Sequence, residues 1–115
     1  MSGYLKMDPE FKERWIDALE SGEYEQGKGK LCRDGKFCCL GVAADVAEIP
    51  FETEAMGPNA LPTRVYVFGP GGRHLSGIPT NWKGISPAAQ KRLWRMNDSR
   101  GKTFAEIAQW IRENL

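Results

Sequence analysis

Apolar residues recur at helical spacing in three stretches of the chain and alternate in none for long. In "MDPEFKERWIDALESGEY", Phe11, Trp15, Ala18 and Leu19 fall on one stripe, which predicts a core-facing helix. Asp8 suits its N-cap, Pro9 its first turn and Gly22 its exit. "CLGVAADVAEIP" predicts a short central helix stopped by Pro50, with Gly41 marking a close approach to another element. Val42, Ala43, Val46 and Ala47 form its small-residue face. The third stretch holds two helices: Ser86-Pro87 opens the first, and Thr103 with Glu106 forms a capping box for the second. Phe104, Ile107, Ala108, Ile111 and Leu115 line one face of that last helix.

Between the helices the signals change to turns and strands. Asp34-Gly35 predicts a type I′ hairpin that pairs Arg33 with Lys36 and Cys32 with Phe37. Continued past Phe37, that strand places Cys32, Phe37 and Cys39 on one face, with Leu31 and Cys38 on the other. "RVYVF", residues 64–68, is a β-branched and aromatic strand closed by "GPGG". Residues 50–63 hold three prolines and read as an irregular connection, and "RHLSGIPTNWKGI" reads as an irregular strand or loop. The order predicts a single α+β domain over residues 1–115. A small antiparallel sheet packs against an N-terminal helix, a short central helix and a C-terminal helical hairpin.

With 115 residues and 41% hydrophobic composition, the chain can bury one core. Net charge is +1, so composition alone implies no general attraction to nucleic acid or anionic lipid. The charge is uneven: residues 1–57 hold 7 basic and 12 acidic side chains, whereas residues 83–115 hold 7 and 3. No apolar run approaches the roughly 18 residues that a membrane span needs. The start, "MSGYLKMDPEF", lacks the apolar core of a signal peptide. Three cysteines without such a signal point to free thiols in a reducing cytoplasm.

The adjacent cysteines of "GKFCCLGV" are the sharpest chemical feature. A thiol at a helix N-terminus feels the positive end of the macrodipole, so Cys39, or Cys38 in a helix one residue longer, is a candidate nucleophile. His74 is the sole histidine, and a cysteine hydrolase or transferase would pair it with Cys39. Packing is the competing reading, since free cysteine is common in cores. Metal binding is disfavoured, because adjacent cysteines rarely chelate one ion and the C-x₂-C spacing is missing. A vicinal disulfide would be strained. Gly27 and Gly29 suggest a phosphate loop, but the rest of a P-loop is missing.

"SPAAQKRLWRMNDSRGKTFAEIAQWIRENL" has helix-turn-helix spacing and lies in the segment 83–115 of charge +4, which raises DNA binding as a further alternative. Glu106 and Glu113 on the would-be recognition helix oppose it. A protein-binding surface is the favoured alternative to both chemistries, built from Trp82, Arg92, Arg95, Asn97, Asp98 and Arg100. Trp82 is expected to be exposed, and Trp94 to pack inward.

Three blocks carry a family resemblance: "RWIDALESGEYEQGKGK", "GKFCCLGVAADVA" and "MNDSRGKTFAEIAQWI". Together they resemble a family of small uncharacterised proteins encoded by bacteriophages and prophages. The resemblance implies a non-enzymatic accessory protein in the cytoplasm of an infected or lysogenic cell. It would bind and block a host or defence protein, or sequester a small ligand. No cofactor is expected, and a homo-oligomer with the site at its interface fits the class.

Overall fold

Asp8 begins the described fold as expected: its carboxylate accepts a hydrogen bond from the Phe11 amide at 2.9 Å and caps the first helix, α1 (Pro9–Glu20). The computed structural model describes residues 7–55, 57–70 and 72–115. After α1 the chain runs through β1 (Glu25–Gln26), β2 (Cys32–Arg33), β3 (Lys36–Phe37) and α2 (Cys39–Val46). It continues through β4 (Phe51–Glu54), β5 (Thr63–Val67) and β6 (Arg73–His74). A short 3₁₀ turn at Trp82–Gly84 leads into α3 (Pro87–Asp98) and α4 (Phe104–Asn114). The architecture is α+β, with four α-helices and one small sheet.

The hairpin pairs Cys32 with Phe37 and Arg33 with Lys36, in the register that Asp34-Gly35 predicts. Both turn residues adopt positive φ, 53° at Asp34 and 74° at Gly35. The sheet differs from the expectation in two ways, and the stretch read as an irregular strand or loop contributes a short strand. It is mixed, because β1 pairs with β3 in parallel. Residues 51–54, read as irregular connection, form β4 and pair antiparallel with β5. Arg73 and His74 add a short strand against Tyr66 and Val67.

The continuation of the hairpin strand also needs correcting. β3 ends at Phe37, and Cys38 and Cys39 do not alternate across a sheet. Cys38 is the N-cap of α2 and Cys39 its first residue. Helix α2 lies close to the hairpin because Gly41 has no side chain. A Cβ there would overlap the carbonyl oxygen of Leu31.

In the core α1 packs against α2 and α4, and α3 packs against the same two helices. Trp15, Leu40, Val42, Leu93, Ile107 and Ile111 are all fully buried in it. On α3 the buried stripe is Ala89, Leu93, Met96 and Asn97. The capping box of α4 forms as expected, with Thr103 and Glu106 bonding each other's backbone amides. Among the described residues, no helix is long and apolar enough to cross a membrane.

Candidate functional site

The cysteine corner is built to exclude water. Cys38 Sγ accepts from the Gly41 amide at 3.4 Å, and Cys39 Sγ donates to the Leu93 carbonyl at 3.6 Å. Trp15 Nε1 closes the other side by donating to the Cys39 carbonyl at 3.0 Å. Burial pushes the Cys38 thiol up to about 12 and the Cys39 thiol well above its ordinary value. Amides at the start of α2 pull the other way, but desolvation wins. Cys32, in β2, is raised by burial as well. All three thiols are buried and free.

Burial therefore opposes the thiolate that the cysteine-nucleophile alternative needs and accords with the packing reading of this corner. The macrodipole supplies fractions of a charge, whereas burial of both side chains raises the cost of the ion. His74 sits half-buried in β6 with its ring edge-on to Phe68, 5.3 Å between centroids. Among the described residues, no hydrogen bond joins it to a cysteine. Among these residues, too, no group of three or more His, Cys, Asp or Glu is placed to hold a metal ion.

The tryptophans of the expected binding surface exchange roles. Trp82 packs edge-on between Phe11, at 5.5 Å, and Phe68, at 5.2 Å. Its turn is set by left-handed backbone at Asn81 and Lys83, with φ of 59° and 55°. Trp94 instead faces outward and is 38% exposed. Arg95 leans over its ring, 5.9 Å from guanidinium to centroid.

Asn97 is the other correction. It is fully buried and is a structural clamp, not a contact residue. Its Oδ1 accepts from Gln26 Nε2 at 2.9 Å and from the Cys39 amide at 3.3 Å. Its Nδ2 donates to the Gly27 carbonyl and to Asp98 Oδ1, both at 2.8 Å. Asp98, half-buried beside it, reaches the surface.

These placements leave two recesses flanking α3. On one side a cleft of about 370 Å³ is lined by Gly29, Ser76, Gly77, Gln90, Trp94 and Asp98. On the other, a groove of about 360 Å³ between α3 and α4 collects Arg92, Met96, Arg100, Lys102 and Trp110 with Glu106, Gln109 and Glu113. Exposed Arg92 and Arg100 thus face away from the Trp94 cleft. Helix α4 is held against α1, and Arg112 Nη2 donates to Glu20 at 2.8 Å. Glu106 and Glu113 lie on its exposed face, an arrangement that repels a phosphate backbone.

Sequence reasoning missed Ser76, Gly77 and Gln90 as cleft residues and raised Gly29 only as part of an incomplete phosphate loop. Gly29 carried the one available signal, a glycine between two lysines, whereas the others belong to loop and helix positions without a pattern. Fold and clefts together define a small α+β domain whose thiols are sealed and whose recesses are open. By its sequence the chain belongs to the domain of unknown function family DUF8296, whose model matches residues 7–68, just over half of it. No curated protein and no solved structure matches it significantly.

Proposed function

We propose that this protein acts by binding, without covalent chemistry, and that the outward face of α3 around Trp94 is its contact surface. The observation that carries this is the exposure of Trp94, 38%, on the wall of a formed cleft. A large indole left in water at the edge of a recess is the type of side chain that dominates interface energetics. Arg95 and Asp98 supply polar contacts at its margin. The resemblance of the FCCLGV corner and closing helix to phage-encoded proteins supports the setting we propose. There the protein is an accessory factor that occupies a host protein or a small ligand.

Trp94→Ala is expected to fold with an unchanged melting temperature, since exposed substitutions usually alter stability by less than about 0.5 kcal/mol. Wild-type and variant baits are compared by capture from bacterial lysate and by native mass spectrometry. A partner or small-molecule adduct held by the wild type and lost by Trp94→Ala is the expected result. Identical binding by both proteins overturns the reading. Rapid alkylation of Cys39 in the native protein at neutral pH would return the cysteine hydrolase instead.

A further inference from the structure

The loop from β1 to β2 borders four clefts at once. Gly29 lines the Trp94 cleft, and Lys30 lines a second with Arg33 and Leu61. Gly27 and Lys28 line a third, and Lys28 a fourth with Gln26 and Lys102. The loop is held in place from both sides. The Gly27 amide donates to the Phe37 carbonyl at 2.7 Å, and the Gly27 carbonyl accepts from Asn97. A Cβ at Gly27 would stand 2.8 Å from Lys36 Cβ, so only glycine lets the loop lie this close to β3.

The two sides of the loop differ in chemistry. On one stand the indole of Trp94, the amide of Gln90, the hydroxyl of Ser76 and the carboxylate of Asp98. On the other, Lys28, Arg33 and Lys36 surround a cleft of about 340 Å³ opposed only by Asp34. Among the described residues, Lys28, Lys30, Arg33 and Lys36 have no ion-pair partner, as is also true of Arg92 and Arg100, whereas Arg64, Lys102 and Arg112 each have one and Arg73 has two. The backbone amides of Lys28, Gly29 and Lys30 also lack a hydrogen-bond partner among these residues. Lys28, Arg33 and Lys36 around one cleft, beside open amides, favour an anion there.

We propose that this face binds a phosphorylated nucleotide laid across the loop. The base stacks on Trp94 while Gln90 and Asp98 meet its polar edge. The phosphate sits among Lys28, Arg33 and Lys36. Stacking on indole suits any base, and ammonium and guanidinium groups form strong charge-assisted bonds to phosphate oxygens. The Asp98 carboxylate argues against an acidic peptide, which has no flat N–H-bearing edge to offer it. A cleft of about 370 Å³ falls in the range of small-ligand sites. This inference rests on Trp94 being the contact residue.

The test is titration of the native protein with AMP, adenosine and inorganic phosphate, followed by calorimetry and by backbone amide and indole NMR. Adenosine is expected to shift the Trp94 indole and the Gly77 amide, and phosphate the Lys28 and Gly29 amides. AMP is expected to shift both sets and to bind at least about tenfold tighter than either part. Trp94→Ala should abolish the adenosine response and spare that of phosphate. The Lys28→Gln, Lys36→Gln double variant should do the reverse, lowering AMP affinity about tenfold. A hexamer of adenylate binding much more tightly than AMP identifies a single strand as the source, and equal affinity identifies the free nucleotide. AMP binding no better than phosphate overturns the inference, as do shifts confined to another face. Should AMP fail while Trp94→Ala still loses a captured partner, the nucleotide assignment falls and the contact surface stands.

Discussion

Asn97 is a polar side chain at the centre of an apolar interior, and both ends of its amide are in use. It accepts from Gln26 and Cys39 and donates to Gly27 and Asp98. Removing it strands the Cys39 amide and the Gly27 carbonyl without their partner, so Asn97→Ala is expected to cost about 2–4 kcal/mol. Urea unfolding monitored by tryptophan fluorescence measures this, and a loss below about 0.5 kcal/mol would contradict the clamp. The sequence named Asn97 but could not show its role, because three of its four partners come from two distant segments. Trp94 was more legible than the expectation allowed. Leu93, Met96 and Asn97 define the buried stripe of α3, and Trp94 lies one residue, about 100°, off it. Trp82 had no such signal, since its burial depends on left-handed backbone at Asn81 and Lys83.

Among the elements, helix boundaries, the β2–β3 hairpin and β5 were readable, the hairpin through its turn, whereas β1 and β4 were not. Asp8, Ser86 and Thr103 cap α1, α3 and α4 through their own side chains, a short-range chemistry visible in any four residues. β1, β2, β3 and β6 are two residues each, too short for alternation to appear. β4 is exposed at all four positions and owes its existence to pairing with β5. The Gly41 contact was legible as a close approach, though its partner was not. Gly41→Ala is expected to push α2 away from the Leu31 carbonyl and cost about 3 kcal/mol or more. A lowered thermal midpoint with loss of Trp15 fluorescence burial would show it, and a wild-type midpoint would refute the overlap.

For the molecule as a whole, counting charge by halves of the chain concealed its distribution. The first half carries the acids of α1 and β4, yet Lys28, Lys30, Arg33 and Lys36 within it gather on one side of the hairpin. The buried acids also set how stability responds to alkali. Cys38 and Tyr66 are both pushed up to about 12, chiefly by burial, and Tyr24 is raised too. Their contribution is complete below the ordinary thiol value of 9.0 and falls as pH rises from there toward about 12, because the unfolded chain ionises first. Thermal midpoints should be flat across neutral pH and drop steadily above about pH 9. A protein equally stable at neutral pH and pH 11 would mean that these groups are not shielded.

The clamp at Asn97 bears on what the family match signifies. Residues 7–68 match the DUF8296 family model, but groups that close their core lie outside them. Asn97 and the Leu93 carbonyl, which satisfy Cys39, lie beyond that stretch, as does α4, which covers α1. A fragment ended at Phe68 would present Trp15, Leu19 and Cys39 to water. It is expected to show no cooperative melting by circular dichroism until the segment 69–115 is added back. A folded 7–68 fragment would mean that the closing helices are an addition to the core and not a wall of it.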